Sequence, residues 1–174
     1  MKYLTKDNCK EVGQKHRWEY LRIVIKCLEI IKPKNSLELG GCNRNIVVGG
    51  DTMDKNSTMG PVYDWNALNI PWPIKKKQYD IFIALQVWEH LKGKQYKAFK
   101  EVPRIANWAI LSFPYKWRGE SFHCNINKEK ISRWTRPHLP FLKPKVVRNK
   151  IIYIFNFFED KSRYEKIKNK LELV

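Results

Sequence analysis

Residues 79–91 read Tyr79-Asp80-Ile81-Phe82-Ile83-Ala84-Leu85-Gln86-Val87-Trp88-Glu89-His90-Leu91, and their reading decides the fold. From Tyr79 to Leu85 every position but Asp80 is apolar, with no alternation of polar and apolar residues. A strand of that kind is covered on both faces, as strands in the middle of a parallel sheet are. Polar and aromatic residues follow it at once. A helical pattern is then predicted from about Glu89 to Ile105, with Tyr96, Phe99, Val102 and Ala106 on one face. Pro103 should kink or shorten its last turn, because proline lacks the amide hydrogen an inner turn needs.

Similar units flank this one. Upstream, Trp18, Leu21, Ile25, Leu28 and Ile31 fall at helical spacing, and Pro33 ends the pattern. Ser36 to Gly40 reads as a short strand opening into a Gly-Gly turn. Residues 46–54 read as a second strand ending in acid, and Val62-Tyr63-Asp64 as a third. Downstream, Trp108 to Phe113 is another buried strand. Residues 127–134 make a short helix with Asn127 as N-cap. Val146-Val147 and Ile151 to Phe158 flank Arg148-Asn149-Lys150 as a hairpin, and residues 160–173 form a charged terminal helix. This order predicts an α/β fold: a three-layer, Rossmann-like, mostly parallel sheet with a C-terminal antiparallel hairpin at its edge.

The 174 residues predict a single domain, 1–174, long enough to bury a core. With 43% hydrophobic residues the chain is not disordered by composition. Its longest apolar run, Ile151 to Phe158 interrupted by Asn156, is too short to cross a bilayer. The N-terminus is studded with charges and predicts no leader peptide. Cys9, Cys27, Cys42 and Cys124 form no C-x-x-C pair, which argues against a disulfide scaffold or a cysteine zinc site. No spacing of His, Asp and Glu points to a metal. Together these features predict a soluble, cytoplasmic domain.

The net charge of +17 is uneven. Residues 1–34 carry +5, residues 35–91 carry −1, and residues 92–174, with 20 basic and 7 acidic side chains, carry +13. A lysine-rich solvated surface would account for this, and so would an anionic substrate or nucleic acid near the C-terminal half.

In open α/β sheets ligands sit at the carboxyl ends of the strands. There this sequence offers Glu38-Leu39-Gly40-Gly41, then Asp51 or Asp54, then Asp64-Trp65-Asn66, then Gln86 to His90, and last Ser112 to Tyr115. Glycines let backbone approach a ligand closely. A carboxylate after the second strand can accept from both hydroxyls of a ribose. An acid after the third can accept from an adenine amino group.

Residues 79–91 resemble the fourth-strand signature of the small-molecule branch of class I S-adenosylmethionine-dependent methyltransferases, where a strand leads into Glu-His-Leu. Asp64 to Pro73 resembles that branch's Asp-x-x-x-Leu-Pro-Phe segment with one extra residue before the proline. Ser36 to Gly40 resembles its first motif and Ala109 to Pro114 its fifth strand, so the resemblance spans roughly residues 17–118. It implies S-adenosyl-L-methionine as cofactor and methyl transfer as activity. It also implies that Glu38 orients the glycine loop and that Gly40 and Gly41 line the cofactor. Asp54, or with less support Asp51, would hold the ribose. Asp64 beside Trp65 would face the adenine, and Gln86 would close the methionine side.

The departures from the family pattern are specific. Its second glycine is Cys42 here, and the usual turn before the fifth strand is replaced by Ile105-Ala106-Asn107. The short segments between Gly41 and Val47, and between Lys55 and Val62, predict that neither holds a helix of two turns, since a modest helix takes about 10–12 residues.

A sulfonium methyl donor is already activated, so catalysis is mainly alignment, and a base is needed only when the acceptor must lose a proton. His90 and His123 are the candidate bases. Trp117, between Lys116 and Arg118, is the aromatic set to touch an acceptor, with His123-Cys124 nearby in sequence. The basic C-terminal half favours an acidic or phosphate-bearing acceptor. The rival reading is a non-catalytic domain of the same fold that binds nucleic acid or a protein partner through that basic half.

Overall fold

The structure, a computed structural model, describes residues 1–11, 17–41, 45–55, 63–116, 125–158 and 164–174. Its elements in chain order are β1 (Lys2–Tyr3), α1 (Lys6–Glu11), α2 (Trp18–Ile31), β2 (Ser36–Leu39), β3 (Val47–Val48), β4 (Asp51–Asp54), β5 (Tyr63–Asp64), β6 (Tyr79–Leu85), α3 (Gln95–Ile105), β7 (Ala106–Pro114), α4 (Lys128–Thr135), β8 (Lys145–Val147), β9 (Lys150–Asn156) and α5 (Glu165–Glu172). Among the described residues seven strands form one sheet in the order β5-β4-β2-β6-β7-β9-β8. The five from β5 to β7 run parallel, and β9 is antiparallel to both β7 and β8.

The apolar run of β6 explains its central place. Ile81, Ile83 and Leu85 point into a core shared with α2 and α5, and Phe82 and Ala84 point into a second core shared with α3 and α4. Each large side chain buried there is worth about 1.5–3 kcal/mol relative to exposure. Two cores on opposite faces of one sheet make the three layers that the strand and helix order predicts.

α2 spans the expected residues, with Leu21, Val24, Ile25 and Leu28 buried and Trp18 and Ile31 half-buried at its ends. Lys32 ends it in the left-handed region (φ +52°), its amide donating to the Leu28 carbonyl at 2.8 Å, and Pro33 follows. Asn127 caps α4 as expected, its side chain accepting from the Lys130 amide at 2.8 Å. α5 begins at Glu165, within the predicted terminal helix.

Three expectations need correction. The predicted strand 46–54 is two strands. Gly49 (φ +77°) turns the chain, and β3 pairs with β1 in a separate ribbon while β4 joins the main sheet. The predicted helix from Glu89 is a single 3-10 turn, Trp88–His90, separated from α3 by Lys92 and Gly93, both at positive φ. Ala106 is not on that helix. It opens β7, because Pro103 sits inside the last turn of α3 and Ala106 is extended.

The chain from β2 to β4 carries β3 rather than a helix among its described residues. Residues 42–44 and 56–62, on which the expectation of missing crossover helices chiefly rests, lie outside the described residues. No helix among the described residues is long and apolar enough to cross a membrane.

Candidate functional site

β2 and β6 are parallel neighbours, yet the chain leaves β2 toward β4 and leaves β6 toward β7. The strand order reverses between them, which is where open α/β sheets leave a crevice for ligands. Two loop ends meet there. Gly40 stands at φ +69°, and a Cβ on it would lie 2.7 Å from Val87 Cγ2. Only glycine lets the β2 loop rest against the β6 loop in this conformation. The Gly40 amide donates to the Met53 carbonyl at 3.0 Å, which ties the loop to β4. A Cβ on Gly41 would meet the Asn45 side-chain amide, which would have to move aside.

Glu38, buried on β2, reaches across this loop. Its Oε2 accepts from the Ile46 amide at 2.7 Å. Burial pushes its carboxyl up to about 7, against the opposing pull of the Ile46 hydrogen bond and of Arg17.

Asp54 and Asp64 are register partners at the carboxyl ends of β4 and β5, the first half-buried and the second exposed. Trp65 follows directly, its amide donating to the Asp54 carbonyl at 3.3 Å and its indole N–H to the Asn69 carbonyl at 2.8 Å. Asp51 lies at the opposite end of β4, in register with Leu37. It accepts from the Tyr79 hydroxyl at 2.6 Å, and that phenol is pushed far above its usual range by burial and by its bonds to Asp51 and Tyr63. Asp51 is therefore held in a network at the amino edge, and Asp54 is the acid at the carboxyl edge.

Gln86 follows β6 at φ +61°. Its amide donates to the Ser112 carbonyl at 3.1 Å and its side-chain Nε2 to Ser112 Oγ at 3.0 Å, so β7 fixes its orientation. Gln86 also lines a cleft of about 650 Å³, walled by Arg17 and Tyr20 of the α2 entry, Glu89, Pro114 and the β8–β9 turn. Glu89 is buried there, and burial pushes its carboxyl up to about 7 against the influence of Lys150 and Arg17. His90 is exposed, its Nε2 4.0 Å from Glu89 Oε1. At the rim, Arg148 bridges Glu19 through two bonds of 2.6 and 2.7 Å, tying the hairpin turn to α2.

The geometry thus brings Gly40, Gly41, Glu38, Asp54, Asp64, Trp65, Gln86 and His90 to the carboxyl side of the sheet. His123, with Trp117, Arg118, Cys124 and Cys42, lies outside the described residues. Sequence reasoning missed the cleft wall of Arg17, Tyr20 and Arg148–Lys150. A signal was available. In an antiparallel strand paired with β7, the preceding turn must lie beside the carboxyl end of β7, and Lys150 is in register with Pro114.

No protein-family model and no curated protein matches this sequence. Solved structures with similar folds are a SAM-dependent methyltransferase from Aquifex aeolicus (TM-score 0.62, 11% identity, 89% of this chain and 100% of that one) and a SAM-dependent methyltransferase from Thermotoga maritima (0.54, 13%, 84% and 96%). The methyltransferase domain of bacterial CtHen1-CN is a third (0.56, 13%, 80% and 98%). At these identities the likeness is one of fold: the chain shares the Rossmann-like fold of these methyltransferases.

Proposed function

We propose that this chain binds S-adenosylmethionine across the carboxyl ends of β2, β4 and β6 and transfers its methyl group to an acceptor held in the adjoining cleft. The observation that carries the reading is the position of Gln86. It stands beside Val87, which closes on Gly40 at the switch point, and it also walls the 650 Å³ cleft. A crevice and a cleft that share one wall suit a donor and an acceptor that must be brought into line.

The residues present fit the cofactor by their chemistry. Asp54 supplies the carboxylate for the ribose hydroxyls, and Asp64 with Trp65 offers an acceptor and an aromatic face for the base. Glu38 anchors the returning loop through the Ile46 amide. The sulfonium group supplies an already activated methyl. The chain's own contribution is alignment: Gln86, fixed by Ser112, sets the boundary between the two halves of the site. Where the acceptor must lose a proton, Glu89 is the cleft carboxylate that takes it, and the exposed His90, 4.0 Å away, passes it to solvent. His123 keeps its role as the second candidate base. Arg17 and Lys150 in the cleft wall favour an acceptor bearing negative charge.

Calorimetric titration with S-adenosylmethionine tests the reading. Binding by the intact chain, weakened in Asp54→Ala, supports it. No heat and no thermal stabilisation at ligand concentrations that saturate known methyltransferases would sink it.

A further inference from the structure

The two helical layers differ in charge. On one face of the sheet, α2 and α5 carry five cations and four carboxylates, interleaved: Arg22 and Lys26 between Glu19 and Glu29, and three lysines between Glu165 and Glu172. On the other face, α3 and α4 carry six cations and two carboxylates. One of those two, Glu101, is buried and bonded to Arg104. A general lysine bias would load both layers alike.

The cations on the α3–α4 face are interleaved with aromatic rings. Lys100 Nζ lies 4.8 Å from the Tyr96 ring centroid, and the Arg136 guanidinium, from the end of α4, lies 5.1 Å from the same centroid. Lys130 Nζ lies 5.7 Å from the Trp134 centroid. Both rings are half-buried and so keep some surface open to solvent. Lys97 and Arg133 stand exposed beside them, and among the described residues no carboxylate pairs with either. The strip begins at Lys92, two residues past the 3-10 turn at the carboxyl edge.

We infer that the α3–α4 face is a docking surface for single-stranded nucleic acid. Spaced cations hold a phosphate backbone, while aromatic faces and guanidinium planes between them give bases something to stack on. Duplex would use the cations alone. A strand laid along this face runs toward the carboxyl edge of the sheet, yet the inference does not depend on the methyltransferase reading.

The test is fluorescence anisotropy with labelled oligouridylate of about 20 nucleotides, a length that exceeds the site size of a small binding domain. Two variants each remove four charges. One is Lys97→Ala/Lys100→Ala/Arg133→Ala/Arg136→Ala on this face, and the other is Lys26→Ala/Lys166→Ala/Lys168→Ala/Lys170→Ala on the opposite layer. The first should lose at least about ten-fold in affinity, with a log–log salt dependence shallower by about 3, from four lost contacts at about 0.7 each. The second should lose less than about three-fold, the share of long-range attraction alone. Tyr96→Leu should weaken the single strand and leave a duplex of the same length unaffected. Failure of the intact chain to bind oligouridylate at about 0.1 M salt, or equal losses in the two quadruple variants, would overturn the proposal. So would tighter binding of duplex than of single strand. If the first variant fails to fold, Lys97→Glu and Arg133→Glu singly carry the same comparison. S-adenosylmethionine titration of every variant keeps the two readings apart, since neither charge set touches the glycine crevice.

Discussion

Lys150 is in register with Pro114 across the antiparallel β7–β9 pair, so the hairpin turn lies at the carboxyl edge of a parallel sheet. That one pairing converts a surface turn into a wall of the cleft opposite Gln86 and Glu89. The parallel register of β4 with β2 and β5 likewise separates its two acids, Asp51 at the amino edge and Asp54 at the carboxyl edge. The one at the carboxyl edge faces the site, and the one at the amino edge supports the sheet.

Asp54→Ala and Asp51→Ala should therefore fail differently. Loss of Asp54 should weaken S-adenosylmethionine binding by about 1.5–3 kcal/mol, the value of charge-assisted hydrogen bonds, with little change in melting. Loss of Asp51 leaves the Tyr79 hydroxyl without its 2.6 Å acceptor and should cost about 1–3 kcal/mol of stability with affinity retained. Calorimetry and thermal melts on both variants check this. The opposite pattern would assign the ribose contact to the wrong acid.

Gly40→Ala should destabilise through two separable terms. Its φ of +69° costs an L-residue about 1–2 kcal/mol, and its new Cβ meets Val87 Cγ2 at 2.7 Å. Adding Val87→Ala should relieve the second term and leave the first. A double-mutant cycle from denaturant melts should give a coupling of about 0.5–3 kcal/mol, and strict additivity would show that the two loop ends do not touch.

Stability should fall as pH rises between about 4.5 and 7. Glu38 has its carboxyl pushed up from 4.5 to about 7 by burial. Below 4.5 both folded and unfolded chains are protonated, and the residue adds no pH dependence. Between 4.5 and 7 only the unfolded chain ionises, so the folded state loses ground, by up to about 3 kcal/mol, and the loss is complete above 7. Glu89 adds a second contribution of the same sign. Glu38→Gln, whose amide oxygen still accepts from the Ile46 amide, should flatten this slope and be more stable than the parent at pH 8. Urea melts across the range decide it, and a parent chain whose stability rises over that interval contradicts the assignment.

The Arg148–Glu19 bridge should matter little to stability. Both side chains are largely exposed, and such pairs are worth about 0–1 kcal/mol. A double-mutant cycle with Arg148→Ala and Glu19→Ala should give a coupling in that range that fades in 1 M salt, where the screening length is about 3 Å. A coupling that persists in high salt would mean the pair is shielded when the hairpin is docked.

Much of this fold was legible because its decisive signals are local. The unbroken apolar run of β6, the helical stripe of α2 and the Asn127 cap each depend on neighbours in sequence. The misreadings came where backbone conformation overrode composition. Lys92 adopts a left-handed φ that nothing in its side chain announces, and with Gly93 it cuts the expected helix. The Gly49-Gly50 pair carries the turn signal that divides residues 46–54 into β3 and β4. In the site, the acids and glycines after parallel strands could be placed by counting. Arg17 and Tyr20 could not, because only the packing of α2 against the distant hairpin brings them to the cleft, whereas Lys150 follows once β9 is paired with β7.

The position of β9 has a consequence for how the chain is made. β7, the longest strand among the described residues, is complete once Pro114 has been synthesised, but its partner on that side begins only at Lys150. As the chain leaves the ribosome, a nine-residue apolar edge with unsatisfied amides and carbonyls stands open while the following segment is made. Such an edge templates pairing with other chains. Fragments that end between Pro114 and Lys150 should therefore aggregate on expression, even though Gly40, Asp54, Asp64 and Gln86 are already in them.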